Sequence, residues 1–289
     1  MNKTFAERWY RLFLRAFPPG HRAEYGPEII GTLLNDAPRR VPSARETAGL
    51  LTAGYAARAR AATGEPMPWW ADGAHLGLLM LALANLAYRI ADHASLGWLA
   101  VSALLVVAFL RGWTLLALPL ALAVALSTGR AMLWGLDAAG GTQLLGPAYH
   151  DWISLAPYGL LAAGAVVIAI RRPRILRARS WWWTAIPVAA LVLTHAPGVR
   201  EYGETWQLAR AGIEGLVLLA GVWATAVARS PRWALAAAVY VLPGVASALV
   251  NPPSNVQDTG YWTVLAALVL AIAATAWKPQ PVPERRRPH

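Results

Sequence analysis

Cysteine is absent from this 289-residue chain, which excludes disulfides and thiolate-held metal and leaves the redox compartment unreadable. Lysine is nearly absent, with Lys3 and Lys278 standing against 24 arginines. That bias, with abundant alanine, suggests a GC-rich bacterial genome. Charge is scarce as well: 14% of residues are charged, against roughly 25% in soluble domains. Walker, GxSxG, HExxH and Rossmann patterns do not occur, so any ATP-driven activity needs a partner subunit. Residues 1–68 are charged and hold no apolar run of the secretory-signal kind.

Apolar and aromatic residues fill the space. The chain is 57% hydrophobic, with 15 tryptophans and 21 prolines and a mean hydropathy of +0.40. A helix needs about 20 apolar residues to cross a bilayer. Eight segments approach this: 73–90, 96–111, 113–134, 152–170, 181–197, 207–228, 233–250 and 260–277. Trp98, Trp152, Trp206 and Trp262 open four of them, at spacings of 54, 54 and 56 residues. Trp69–Trp70, Trp113, Trp181 and Trp233 open the others, and indole rings collect at membrane interfaces.

Arginine placement gives the orientation. One set of connections holds Arg111, then Arg171, Arg172, Arg174, Arg177 and Arg179, then Arg229 and Arg232, then Lys278 and Arg285 to Arg287. The alternate set holds only Arg200, beside six carboxylates. Twelve basic residues against one predict that both termini are cytoplasmic. The net charge of +11 is then mainly topogenic, and direct nucleic-acid binding is not expected. The loop 171–180 and the basic tail 279–289 suit anionic lipid, with an acidic cytosolic partner as the alternative.

The spans also repeat. Arg111, Arg179 and Arg232 each precede a tryptophan-led segment carrying a mid-span proline, Pro119, Pro187 or Pro243. Either every membrane helix wants such anchors, or a helical hairpin has been duplicated. Proline frees a carbonyl that neighbours or water must re-satisfy, so the three helices are expected to line a common interior.

Residues 1–68 read as a cytosolic three-helix module. Thr4-x-x-Glu7 and Ser43-x-x-Glu46 are capping boxes, opening helices at 5–17 and 44–62, with another at about 21–36 between them. Pro18-Pro19-Gly20 is expected to end the first. Its apolar face would carry Phe5, Trp9, Leu12, Phe13 and Ala16, with Arg8, Arg11 and Arg15 on another face, a pattern suited to lipid headgroups. The second helix would place Tyr25, Ile29, Ile30, Leu33 and Leu34 on one side, and the third would bury Leu50, Leu51 and Tyr55. So small a unit is marginal alone.

The string Trp9-Tyr10-Arg11-Leu12-Phe13-Leu14-Arg15-Ala16-Phe17-Pro18, followed by Arg22-x-x-Tyr25-Gly26-x-Glu28-Ile29, resembles a short cytoplasmic prefix domain. Similar prefixes precede the first span of some bacterial ABC-type export permeases and of small membrane proteins paired with PadR-type regulators. The membrane part departs from the permease pattern, since it lacks a large extracytoplasmic domain. The resemblance therefore implies an accessory or regulatory protein, and it carries over no catalytic residue.

Intramembrane polar groups are costly and usually face protein or a cavity. Arg210 and Glu214, at i and i+4, can pair on one helix, and Arg130 could share Glu214. Arg89 with Asn85, and His195, mark the outer parts of two other spans. Together they read either as an outward polar vestibule or as arginines snorkelling to headgroups with Glu214 as counter-ion. Asp92-His93 and His150-Asp151 have zinc-competent side chains but no known ligand spacing, so no metal or cofactor is expected. His21 and His75 are lone residues, and Gly73-x-x-x-Gly77 permits close helix contact.

The expectation is an all-α, eight-span inner-membrane bundle over 69–278 with the N-terminal module. Its first functional reading is an accessory or signalling protein whose module contacts a regulator or an ABC-type ATPase, with homo-oligomerisation left open. The alternative is a small-solute or lipid transporter. An intramembrane enzyme lacks any acid–base constellation.

Overall fold

The computed structural model describes residues 3–36, 43–61, 68–91, 94–134, 152–171, 176, 178–195, 203–250, 252–253 and 256–277. Within them the chain is helical throughout, with no strand. It divides into two compact units, Met1–Pro66 and Met67–His289.

The first unit holds α1 (Lys3–Phe13), a 3-10 turn (Leu14–Ala16), α2 (Pro19–Asp36) and α3 (Ala44–Ala61). The first helix and its 3-10 turn stop before Pro18-Pro19-Gly20 as expected, with Phe17 extended at ψ 156°, and Pro19 also opens α2, where its missing N–H costs nothing. The second capping box forms as expected: the Ser43 amide donates to Glu46 Oε2 at 3.0 Å and the Glu46 amide to Ser43 Oγ at 3.2 Å. The side chain of Thr4, in the first box, lies outside the described residues. The helix already runs from Lys3, and the Glu7 carboxylate accepts from Arg11 at 2.6 Å.

The core of this unit takes a different stripe of α1 from the aromatic one. Ala6, Tyr10, Leu14 and Phe17 pack with Leu50, and Ile29, Ile30, Leu33 and Leu34 lie against them. Phe5, Trp9 and Leu12, on the aromatic face read as suited to lipid headgroups, are 50%, 39% and 47% exposed. Tyr25 and Tyr55 are exposed too. The reason is polar as well as apolar: Tyr10 reaches Glu46 at 3.0 Å, so the inward stripe can use its hydroxyl. Arg58 of α3 donates to the carbonyls of Arg15, Ala16 and Phe17 that the 3-10 turn leaves open.

The second unit holds α4 (Trp69–Ala91), α5 (Leu96–Arg111), α6 (Thr114–Trp134), α7 (Ala156–Arg171), α8 (Ala185–His195), α9 (Gly203–Ala228), α10 (Arg232–Val250) and α11 (Val256–Ala276). Short 3-10 turns, Trp152–Leu155 and Trp181–Thr184, lead into α7 and α8. Four stretches are long and apolar enough to cross a membrane: Trp69–Ile90, Ala211–Ala228, Arg232–Val250 and Val256–Ala276. Shorter apolar helices occupy the other four expected positions. A 16-residue helix such as α5 rises about 24 Å, less than the roughly 30 Å of hydrocarbon.

Helix α4 is central, packing against α5, α7, α8 and α10, and its apolar window is 78% buried where that of α11 is 11%. Gly73 and Gly77 explain its close approach to α10. A Cβ at Gly73 would lie 2.6 Å from the Arg232 carbonyl oxygen, and one at Gly77 would lie 2.7 Å from Val239 Cβ. Replacing Gly77 with Leu should therefore separate the two helices and cost about 1–3 kcal/mol, read as a lower melting temperature of the purified protein in detergent. Between α5 and α6, Gly112 takes φ +71°, and the Trp113 amide returns to the Ala108 carbonyl at 2.8 Å. This left-handed cap is glycine's ordinary role.

Candidate functional site

Two polar clusters stand inside the second unit. The first is built on Asp72, in the first turn of α4 and 2% exposed. One carboxylate oxygen accepts from Arg179, and the other accepts from Arg232 at 2.8 Å. Arg179 also donates to the Asp72 carbonyl at 3.0 Å, and Arg232 Nε donates to Ser230 Oγ at 3.0 Å. The glycine-mediated approach of α10 to α4 is what lets Arg232 reach so far in. One turn along, fully buried His75 meets the Phe109 carbonyl at 2.8 Å through Nε2. Two arginines expected as membrane-surface charges, Arg232 buried and Arg179 partly buried, are thus ion-pair partners that tie the starts of α4 and α10 to the segment leading into α8.

The second cluster surrounds Glu214, on α9 and 7% exposed. Its Oε1 accepts the Tyr240 hydroxyl of α10 at 2.5 Å, and its Oε2 accepts the Tyr261 hydroxyl of α11. Hydrogen bonds to a charged acceptor are stronger than neutral ones, so the two phenols fix the carboxylate. A cavity of about 210 Å3 opens beside it. Asn85, Tyr158, Ser247 and Trp262 line the cavity with Glu214 and its tyrosines, over walls of Leu81, Leu161, Val241 and Leu265. Asn85 Nδ2 donates to Ser102 Oγ at 3.0 Å, while its buried Oδ1 has no hydrogen-bond partner among the described residues. Liquid water takes about 30 Å3 per molecule, so the cavity suits a solute of about seven waters' volume. A smaller apolar cavity, of about 60 Å3, shares Ala84, Glu214 and Tyr240 with the first.

The expected site residues fare differently. Arg89 is buried at 8% exposure, donating to Thr128 Oγ1 at 3.3 Å and lying 5.8 Å from the Trp98 ring centroid. That corrects the snorkelling reading for this residue. Arg130 is exposed on α6, which packs on α5 and α7. The side chains of Arg210 and His195, and all of Asp92, His93, His150 and Asp151, lie outside the described residues. Among the described residues no group of three or more metal-ligating side chains forms. Of the three span prolines only Pro243 lines the Glu214 cavity. Pro119 is exposed and Pro187 is buried but lines neither cavity; α10 lines both cavities, α8 only the smaller one and α6 neither, so the three proline-bearing helices do not share one interior among the described residues. Trp262, expected at the interface, instead lies on Gly244 as a cavity wall, where no Cβ would fit.

In the first unit Arg8, Arg11, Arg15 and Tyr25 are exposed. Trp9 stacks on Phe13 at 5.7 Å, and His21 sits between Phe17 and Tyr25 with ring centroids at 5.2 and 4.8 Å. The Glu24 carboxylate pushes the Tyr25 phenol above its ordinary value, so this hydroxyl is neutral at physiological pH.

Sequence reasoning missed Asp72, Tyr240 and Tyr261. Asp72 had one available signal, an acidic residue inside an apolar span. No protein family, curated protein or solved structure matches the chain.

Proposed function

We propose that this chain is an eight-span protein of the bacterial inner membrane, with both termini cytoplasmic, that takes a small polar solute into the Glu214 cavity as a transporter. The observation carrying this reading is the cavity: Asn85, Glu214, Ser247 and Tyr261 face one space of solute size. On the proposed topology each of these positions falls in the outer half of its span. A solute with a hydroxyl or amino donor and a compact apolar body suits a space that sets the Glu214 carboxylate and Ser247 among apolar walls. Glu214 and Tyr240 line both cavities, so separating this pair would join the two spaces, a step of the kind transport requires.

The four shorter helices complete their crossings in this reading with flanking residues or by local bilayer thinning. No catalytic constellation is proposed. The test is a thermal-shift screen of the purified full chain in detergent against small amines, amino acids and polyols. A ligand at about 100 times its Kd stabilises by about 2.7 kcal/mol. At least one such compound should raise the melting temperature, and loss of that shift on filling the cavity with Ser247→Trp assigns it to this space.

The accessory reading stands second. What favours it is a first unit with its own core and an exposed arginine face, to which a regulator or an ATPase could bind. Deleting residues 1–60 and comparing co-purified proteins from native membranes tests it.

A further inference from the structure

The first unit leaves an amphipathic surface uncovered. Phe5, Trp9 and Leu12 follow at i, i+4 and i+7 on α1, and all three are exposed. Phe5 meets Trp9 edge-on at 6.3 Å, and Trp9 stacks on Phe13 at 5.7 Å, so the rings form one continuous strip. Beside it Arg8, Arg11, Arg15 and Arg22 line an open groove of about 790 Å3, with Leu14 and Ile30 among its apolar residues. One carboxylate, Glu7, lies in the groove and pairs with Arg11. The core takes Ala6, Tyr10 and Leu14 from the inward stripe, and the outward one stays outside it.

We propose that this face docks on the anionic lipid of the cytoplasmic leaflet, with the aromatic strip at the headgroup–acyl boundary and the arginines on lipid phosphates. Three observations favour lipid over an acidic protein. Aromatic rings beside arginines on one helix match the side-by-side layering of a bilayer interface. The groove offers four arginines against one carboxylate, a surplus complementary to phosphate. The chain itself supplies the tether: eight Cα steps from Ala61 to Trp69 span at most about 28 Å, so a bilayer crossed by α4 is always within reach. Each arginine at an anionic surface multiplies the docked-to-undocked ratio about fivefold. The inference rests on the membrane reading alone, and the cavity reading can fail without it.

The cysteine-free chain makes the test direct. Leu12→Cys and Phe5→Cys change exposed positions, and Thr52→Cys on the exposed face of α3 serves as control. Each full-length variant is placed in nanodiscs of phosphatidylcholine alone or with phosphatidylglycerol, and the rate of modification by a bulky soluble maleimide is measured. Leu12→Cys and Phe5→Cys should react at least tenfold more slowly in phosphatidylglycerol discs, with Thr52→Cys unaffected. High salt, or Arg8→Glu with Arg11→Glu and Arg15→Glu, should restore the fast rate. Equal rates in the two lipids overturn the proposal. So does protection found in native membranes but not in discs, which assigns the face to a protein partner. Failure to incorporate into discs at all strikes the membrane reading instead.

Discussion

Asp72→Ala should be the most damaging single substitution in the second unit. It leaves two guanidiniums, on Arg179 and Arg232, facing a site from which their shared carboxylate has gone. Removing one partner of a buried ion pair costs about 3–5 kcal/mol, because the remaining charge is desolvated without compensation. At a few degrees per kcal/mol, that lowers the melting temperature on the order of 10 °C. The three members are not equivalent. Arg232→Met leaves Asp72 and Arg179 as a neutral pair, so its cost should be less than half that of Asp72→Ala. The double variant Asp72→Asn with Arg232→Met leaves one charge instead of two, and should recover part of the loss. Melting curves of the variants in one detergent decide the order. Equal melting of Asp72→Ala and the parent would show that the cluster does not hold α4, α10 and the start of α8 together.

Glu214→Gln should separate ligand binding from folding. The amide keeps an oxygen for one phenol and turns an N–H toward the other, whose hydroxyl oxygen can accept it, so the contacts become neutral, one of them reversed, and the charge is lost. A hydrogen bond to a charged group contributes about 1.5–3 kcal/mol, so the variant should melt a few degrees lower and remain folded. Its ligand-dependent stabilisation should vanish. Tyr261→Phe should lower that stabilisation about tenfold in apparent affinity, because the carboxylate stays but loses its fixed orientation. The competing account makes Glu214 only a counter-ion for Arg210. Under it, Arg210→Gln added to Glu214→Gln restores the parent melting temperature, and ligand response survives throughout. Melting with and without the hit compound, over the four proteins, distinguishes the two.

Much of the helical layout is legible in the sequence because hydropathy is a sum over local residues. The apolar run over 233–250 and the Ser43–Glu46 box need no distant information, and both appear where expected. Side-chain destinations are another matter. Helix α1 offers two stripes, Phe5–Trp9–Leu12 and Ala6–Tyr10–Leu14, and apolar weight alone favours the first. The second packs on Leu50, Ile29 and Ile30, and its tyrosine hydroxyl meets Glu46, 36 residues away. Asp72 binds arginines 107 and 160 residues distant, and Glu214 binds tyrosines 26 and 47 residues distant. No local spacing encodes such partners. Gly73 and Gly77 are an intermediate case: their spacing announces a close contact, and only the fold identifies α10 as the helix that makes it.

The arginine asymmetry is partly reassigned by the same packing. Arg179 and Arg232 are consumed by Asp72 rather than presented to lipid, yet the remaining inward-set residues still outnumber Arg200 heavily. On the proposed topology the Glu214 cavity opens to the outer side of the membrane.

That opening is the central claim, and single-cysteine accessibility tests it most directly. Ser247 lines the cavity, and the chain contains no cysteine of its own. Ser247→Cys, expressed in intact cells, is exposed to a small membrane-impermeant thiol reagent from outside, and in inverted vesicles from the cytoplasmic side. The account predicts modification from outside only, slowed by the stabilising solute. Modification solely from the cytoplasmic side, or no modification from either side in a folded protein, would contradict it.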